Sequence, residues 1–376
     1  MDSEPNLRPL YDDEAFQAEQ ACLGQVWTLL GCASDIPAKD DWFRATLGGR
    51  SIFIQRFEDG LRGFENRCAH RSYPLRTQAC GQGPIVCGFH HWRYDRDGVA
   101  AGIPICRDAY GVEPRALNKR LTRLDVEQCG DLIFGRFPGS PQAATLVDFL
   151  GPASEIISML CADMRGAANA SMAVAANWRF SQQISLDDYH PPAVHSANLG
   201  KLGYLRLDAL NYQRFGPHSA FFGGANSGTL ETMAKALCES TLDAPGYRIF
   251  HLFPNAAIMF GTAFRLFGQP FRIVLVMHHV PLAFDRSETR LRIQRHRWAS
   301  SEPNLGDKIM DQVEPFVRPF VKSRTIRVLE EDRLICEGLQ LGARQIRAGP
   351  AYSRQEARVA WFDEAYVAAM REPGGG

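Results

Sequence analysis

Cys68-Ala69-His70 and Cys87-Gly88-Phe89-His90 each bring a thiol and an imidazole within four positions of one another, and sixteen residues separate the two segments. Side chains of these types at such spacing are metal donors. A structural zinc could use the same four groups, but zinc sites usually pair Cys with Cys and His with His, and here each loop carries one of each. The mixed arrangement suits a [2Fe-2S] centre in which two Cys hold one iron and two His hold the other. His91 offers a further imidazole, yet only His90 gives the Cys-x-x-His spacing.

A second constellation follows in Asp187-Asp188-Tyr189-His190 and His195. On a helix, Asp187 and His190 would lie one turn apart on one face, so the carboxylate could orient the imidazole. Pro191 and Pro192 are expected to end that helix and swing His195 back toward His190. Two surface histidines beside a helix end remain the plain alternative to a mononuclear metal site. A facial triad needs one carboxylate more. The stretch Val328 to Arg344 reads as a helix with Val328, Leu329, Ile335, Cys336 and Leu339 on one stripe and Asp332 at its middle. An ionised carboxylate facing a core needs a compensating cation or donors, which makes Asp332 the candidate. Glu330, Glu331 and Glu337 are expected to be solvated charges. An Asp on an exposed helix face is the competing reading.

These residues carry a resemblance. The first pair of loops resembles the Rieske domain of the ring-hydroxylating oxygenases, with its C-x-H-R and C-x-x-H-x-W pattern, and Arg71 and Trp92 match as well. Rieske proteins of respiratory complexes carry an extra Cys in each loop, which is missing here, and Cys80 has no counterpart in the other loop. Asn177, Trp178, Asp187, Tyr189, His190 and His195 match the oxygenase pattern N-W-K, E-N, D-x-Y-H, four residues, H. Gln183 and Ile184 replace the Glu-Asn pair, and the double proline is unusual. Asp332, Glu337 and Gln340 fit the family's D-x-x-x-x-E-x-x-Q helix.

The resemblance runs from about Tyr11 to Met370. It implies an α+β protein: an N-terminal all-β Rieske [2Fe-2S] domain over residues 1–140, with a preceding helix, and a helix-grip catalytic domain over 141–376. It also implies Cys68, His70, Cys87 and His90 as cluster ligands, and His190, His195 and Asp332 as ligands of a mononuclear Fe(II). O2 and NAD(P)H-derived electrons would be co-substrates. Electrons would come from a separate reductase, with or without a ferredoxin. The family forms head-to-tail trimers, in which Asp187 would bridge His90 of one subunit to His190 of its neighbour.

The elements that must position these groups are legible in outline. Glu14 to Leu30 reads as a helix running into a strand. Trp42 to Leu47, Ser51 to Phe57 and Leu61 to Asn66 alternate, and Gly48-Gly49 and Asp59-Gly60 between them are hairpin signals. The cluster loops are expected at the tips of this small antiparallel domain. Leu132 to Phe137 reads as its closing strand, and Pro138 to Pro141 as the break after it. Leu205 to Tyr212, Tyr247 to Phe253, Ala256 to Phe260, Phe271 to Val280 and Leu291 to Trp298 read as an antiparallel sheet flanked by helices. Phe221, Phe222, Phe250, Phe253, Phe260, Phe264, Phe267 and Phe271 are candidates for core or for a substrate cage. Only the terminal Gly374 to Gly376 is low in complexity.

Composition narrows the function classes. A chain of 376 residues with 45% hydrophobic residues has room for two domains. Its formal net charge of zero gives no electrostatic case for nucleic acid or an anionic membrane surface. No run approaches the ~20 apolar residues of a membrane span, and the polar, acidic first residues lack a signal-peptide core. Of the ten Cys, two are claimed by the cluster loops and the other eight are scattered without pairing rhythm, as in a reducing cytoplasm. No Gly-rich dinucleotide fingerprint is present, so NAD(P)H must be oxidised elsewhere.

The expected function is oxygen insertion into a small organic, aromatic substrate. Monooxygenation or demethylation of a quaternary amine or ether by the same machinery is the alternative. A rival of another class is a Rieske electron carrier or redox sensor with a ligand-binding second domain. The triad residues discriminate between them, because a carrier needs none.

Overall fold

Alternating apolar residues between short turns build the first sheet. Leu47 pairs with Arg50 across Gly48 and Gly49, whose φ values of 57° and 72° are the left-handed pair that a tight hairpin needs. The computed structural model describes residues 6–139, 145–197, 210–223, 228–241, 247–266, 268–297, 305–346 and 350–371. The chain divides into two compact units. One is Gln20–Leu146, and the other combines the described residues up to Glu19 with those from Val147 onward.

After helix α1 (Asp13–Leu23), the first unit holds β1 (Thr28–Cys32), β2 (Asp41–Leu47), β3 (Arg50–Phe57), β4 (Gly60–Glu65), β5 (Cys80–Gln82), β6 (Ile85–Val86), β7 (Arg93–Tyr94) and β8 (Ala100–Gly102). A short helix α2 (Cys106–Tyr110) precedes β9 (Arg123–Cys129) and β10 (Leu132–Arg136). Seven strands form one antiparallel sheet in the order β1-β10-β9-β4-β3-β2-β5, and β6-β7-β8 form a smaller one. The cysteine loops follow β4 and β6. Phe53, Phe64, Ile85, Trp92, Tyr94 and Leu121 pack around Cys68 and Cys87, so the loops rest on a core of their own.

The second unit continues with α3 (Leu146–Leu150), α4 (Ala153–Leu160), β11 (Ala168–Val174), α5 (Trp178–Ile184) and α6 (Pro191–Val194). Then come β12 (Leu210–Phe215), β13 (His218–Gly223), α7 (Leu230–Cys238), β14 (Tyr247–Leu252), β15 (Ala256–Leu266), β16 (Gln269–Ala283) and β17 (Arg286–Arg295). Helices α8 (Leu305–Gly342) and α9 (Ala357–Met370) close it. Its antiparallel sheet runs β11-β17-β16-β15-β14-β13-β12. Leu275, Met277, Leu291 and Ile293 of that sheet pack against Met310, Val321 and Leu329 of α8. This is the α+β architecture expected, a β domain followed by a sheet gripped by helices.

Four expectations are corrected. The helix read from Val328 starts at Leu305 and runs for 38 residues, through Pro315 and Pro319. Each proline removes a backbone donor, and the pair hides the helix in the sequence. Buried Glu314 compensates by binding Arg295 at 3.1 Å and Arg297 at 2.7 Å, which ties this segment to β17 and the residues after it. Pro191 and Pro192 begin helix α6 instead of ending one, since proline fits the first helical positions. The segment read as Leu205 to Tyr212 shows strand from Leu210 to Phe215; residues 205–209 lie outside those described.

Residues 6–19, assigned above to the N-terminal domain, group with the second unit. Buried Glu19 accepts from the Trp178 indole at 3.0 Å and from the Tyr366 hydroxyl at 2.6 Å. Asn177 donates to the Pro9 carbonyl at 3.0 Å and Gln340 to the Leu10 carbonyl at 2.8 Å. The boundary expected near residue 140, and Phe267, Trp298 and the terminal glycines, lie outside the described residues.

Candidate metal centres

The two cysteine loops share one backbone frame. The Ser72 amide donates to the Cys68 carbonyl and the Cys68 amide to the Tyr73 carbonyl, both at 2.9 Å. The His91 amide donates to the Cys87 carbonyl at 3.0 Å and the Cys87 amide to the Trp92 carbonyl at 2.9 Å. The residue four past each Cys takes the left-handed conformation, Ser72 at φ 59° and His91 at φ 56°. Two equal turns therefore face one another. They place buried Cys68 and Cys87 inside and His70 and His90 outside, with the imidazole centroids 4.8 Å apart.

The donor set fits a two-iron cluster. Burial pushes the Cys87 thiol up, and the adjoining Cys68 thiol pushes it further, so a pair of thiolates here needs a cation. The Tyr94 hydroxyl lies 3.0 Å from Cys68 Sγ and accepts from the Ala69 amide at 3.0 Å. His70 stacks on Trp92 at 4.7 Å, and its Nε2 meets the Tyr110 hydroxyl at 3.4 Å, which leaves Nδ1 as the nitrogen free of that contact. Burial together with His90 and Arg71 holds the His70 imidazole below its ordinary value, the neutral form that ligates metal.

The second centre lies wholly in the other unit. His190, His195 and Asp332 each offer one ligand atom, all within 4.8 Å of one another. The two Nε2 atoms are 3.2 Å apart, and Asp332 Oδ1 lies 3.3 Å from that of His190 and 3.0 Å from that of His195. Three lone pairs converge on one point. Asp332 Oδ1 is buried and meets no donor at hydrogen-bonding geometry, which is the mark of a position for a cation. Burial pushes the His190 imidazole down, but Asp187 and Asp332 more than reverse this and raise it to about 9. Burial pushes the Asp332 carboxyl up, and the two imidazoles draw it below the usual range. Charge at this point is stabilised, and a divalent ion fits it with two His and one carboxylate.

Supporting contacts differ from expectation in three places. Asp187 and His190 lie in a loop after α5, not on a helix. Asp187 Oδ1 accepts from the Tyr189 amide at 2.6 Å and the His190 amide at 3.2 Å, and Oδ2 lies 3.6 Å from His190 Nδ1. The carboxylate still faces the imidazole, held by an Asx-type turn. Glu331, expected in solvent, places Oε2 2.7 Å from His195 Nδ1. Glu337, also expected in solvent, accepts from the Ala175 amide at 3.0 Å and from Arg333 at 2.7 Å. Glu330 is exposed and binds Arg333, as a surface charge does. Asp188 is buried and bound to Arg358 at 2.7 Å. No local signal marks Glu331, because its partner lies 136 positions away.

A cavity of about 240 Å³ opens on the triad. Its wall is mostly aliphatic: Ile184 from α5, Ile249, Met259, Ile273, Leu275 and Met277 from the sheet, and Val328 and Leu329 from α8. None of the eight phenylalanines named above is among its described lining residues. Phe221, Phe222, Phe250, Phe253, Phe260 and Phe271 are buried core, and Phe264 stacks on Phe271 at 4.8 Å.

Known proteins resemble this chain in sequence and fold. The profile of the ring hydroxylating alpha subunit (catalytic domain) matches residues 161–372, and that of the Rieske [2Fe-2S] domain matches residues 26–116. The large oxygenase component of the naphthalene 1,2-dioxygenase system of Pseudomonas putida is 29% identical over 200 residues, covering 50% of this chain and 43% of that protein. The glycine betaine monooxygenase oxygenase subunit of Chromohalobacter salexigens is 29% identical over 210 residues, covering 52% of this chain and 44% of that protein. The match thus spans less than half the length of these relatives. Among solved structures, naphthalene 1,2-dioxygenase from Rhodococcus sp. bound to indole superposes with a TM-score of 0.73 at 18% identity, covering 97% of this chain and 93% of the other. A quaternary ammonium Rieske monooxygenase in complex with an inhibitor gives 0.71 at 18% identity, covering 98% and 95%. At that identity the likeness speaks for the fold.

Proposed function

Because the chain belongs to the ring-hydroxylating alpha subunit family, we propose that it is the terminal oxygenase component of a Rieske system, which uses O2 and NAD(P)H-derived electrons to hydroxylate a small organic substrate. The observation that carries this reading is the convergence of His190, His195 and Asp332 on one point at the wall of an apolar cavity. An electron carrier or sensor has no use for that convergence.

In this reading Cys68, His70, Cys87 and His90 hold the [2Fe-2S] cluster, and His190, His195 and Asp332 hold the mononuclear iron. When bound, the cluster supplies electrons singly and the iron supplies O2 activation beside the substrate. The chain's own residues do the rest. Asp187 and Glu331 fix the rings of His190 and His195 from behind. The aliphatic wall excludes water and orients an apolar body against the triad. Electrons come from a separate reductase, with or without a ferredoxin, and the assembly is a homotrimer in which Asp187 links neighbouring centres. Among the described residues no helix is long and apolar enough to cross a membrane.

The test is reconstitution with a reductase and a substrate panel, following product against NADH and O2 consumed. Coupled product formation supports the proposal. A fully loaded protein that passes electrons but oxidises no member of the panel points to the carrier. Aromatic and alicyclic substrates suit the aliphatic wall; a quaternary amine would want aromatic faces around its charge.

A further inference from the structure

His190 and His195 each have a carboxylate at Nδ1, from Asp187 and Glu331. Asp332, the third member of the triad, has no such support among the described residues: its pairs are the two imidazoles themselves. A carboxylate that serves a metal through one oxygen needs a donor at the other, because its orientation and basicity depend on that bond.

A second cavity, of about 20 Å³, adjoins the substrate cavity, and Ile184, Ser185, Leu329 and Asp332 line both. About 10–15 Å³ of such space holds one water, provided that polar groups face it. Here those groups are Ser181, Ser185, His279, Thr289 and Asp332. Ser181 is 4% exposed, and its hydroxyl oxygen meets no partner at hydrogen-bonding geometry. The Cys336 thiol near it, pushed up to about 12 by burial, is a weak partner. Arg333, the one Lys or Arg among the described lining residues, is bound by Glu330 at 2.6 Å and by Glu337 at 2.7 Å.

The proton positions around this cavity follow from its hydrogen bonds. Ser185 donates to the Ser181 carbonyl at 3.0 Å, so at 3.1 Å it accepts from His279 Nε2. His279 is 2% exposed and burial lowers it to about 4, so the ring is neutral and Nδ1 accepts from the Thr289 hydroxyl at 3.0 Å. His279 and Thr289 have thus spent their protons on one another and on Ser185. Ser185 keeps a lone pair, and Ser181 keeps a proton to give.

Resting on the reading of the triad as a metal centre, we propose that one ordered water occupies this cavity and holds the Asp332 carboxylate. It accepts the Ser181 proton and donates its own two, one to Asp332 and one to Ser185 Oγ. That makes three hydrogen bonds, the usual number for a buried water. Ser181 and Ser185 are positioning residues for the third ligand, as Asp187 and Glu331 are for the other two, and His279 fixes the direction of the Ser185 hydroxyl.

The experiment has a structural arm and a metal-binding arm, and neither depends on turnover. A crystal structure of the cofactor-loaded protein, at a resolution that orders waters, should show one water within hydrogen-bonding distance of Asp332, Ser181 and Ser185. Ser181→Val removes the donor and fills the cavity with a methyl group. It should weaken binding of Fe(II) and of Co(II), measured anaerobically against a competing chelator, about 10-fold, the low end for groups behind metal ligands because a neutral water carries the support. It should also shift the visible bands of bound Co(II), which a change in packing alone does not move. Ser181→Ala adds no volume and should weaken binding in the same direction, so it carries the test if the valine variant does not fold. The melting temperature of the metal-free protein checks folding in both.

Two results overturn the inference: a crystal structure in which no water bridges Ser181 to Asp332, or Ser181 variants that bind both ions within twofold of the parent with unchanged Co(II) bands. Failure of the metal reading looks different. The parent itself would then take up neither ion at the triad, and the role given to Asp332 would fall with it.

Discussion

Replacing Glu331 by Gln removes a charge that touches neither the substrate cavity nor the converging ligand atoms, so its effect isolates the support behind one imidazole. His195 is 3% exposed and its Nδ1 lies 2.7 Å from Glu331 Oε2; the carboxylate side chain is 28% exposed. A hydrogen bond to a charged group contributes about 1.5–3 kcal/mol, and access of water to Glu331 favours the lower half of that range. At ~1.4 kcal/mol for each factor of ten, Glu331→Gln should weaken iron binding about 10- to 30-fold, within the range seen for partners behind metal-bound imidazoles. The assay is anaerobic titration of mononuclear-site-depleted protein with Fe(II) against a competing chelator, with Co(II) and its visible bands as a second probe. Glu330→Gln is the control, since Glu330 binds only Arg333 in the described structure. The cluster absorption should be unchanged in both variants. If Glu331→Gln binds metal within twofold of the parent, or if Glu330→Gln weakens it equally, the support assigned to Glu331 is refuted.

Anaerobically purified protein should contain about three irons per chain; Cys87→Ser should remove the cluster, and Asp332→Ala should leave its spectrum intact while emptying the mononuclear site. Stoichiometric zinc without visible charge-transfer absorption would refute both assignments. Asp188→Asn strands Arg358, which is 0% exposed, and should cost about 3 kcal/mol or ~6–12 °C in melting temperature. A shift below 2 °C would show that the ion pair does not hold the fold. His218 is buried and neutral, donating from Nε2 to the Phe149 carbonyl at 2.8 Å and accepting the Phe253 amide on Nδ1 at 3.0 Å. Burial lowers it to about 4 from an ordinary 6.5. The unfolded chain therefore takes up this proton first, and stability should fall as pH drops from 6.5 toward 4, by up to ~3 kcal/mol for a 2.5-unit difference. Denaturant unfolding of His218→Gln should show a flatter pH dependence across that window; parallel curves for parent and variant would contradict it.

The cluster loops were legible because their information is local: donor type, spacing and turn chemistry all lie within a few residues of Cys68 and Cys87. Asp332 was legible for a different reason, as a charge on a helix read as carrying an apolar stripe, but the stripe is only partly buried: Cys336 is buried and Leu329 packs against the sheet, whereas Ile335 and Leu339 are exposed. The pairing of Asp187 with His190 was found through the wrong geometry. Three positions along a helix and an Asx-type turn both bring these side chains together, and short polar runs do not separate the two. Glu331 was not legible at all. Glu331 lies next to Asp332 on α8, and only the fold brings His195 to its side. The N-terminal half of α8 was hidden by Pro315 and Pro319; it is held by Met310 and Val321 packed against the sheet and by the Glu314 ion pairs.

Glu19 has a consequence for the order in which the protein can be made. Trp178 and Tyr366, which donate to its side chain, lie 159 and 347 positions further along the chain. A ribosome delivers Tyr366 347 positions after Glu19, so this buried carboxylate waits through that span of translation for the hydroxyl. The strand pairings of Gln20–Leu146 are closed within that segment, and none of them needs a strand from later in the chain. The cluster unit can thus mature on the nascent chain, whereas the unit that would handle O2 is completed only when α9 arrives. A nascent chain stopped short of Tyr366 would hold the first unit with its sheets closed, and a second unit that still lacks the Tyr366 donor to Glu19.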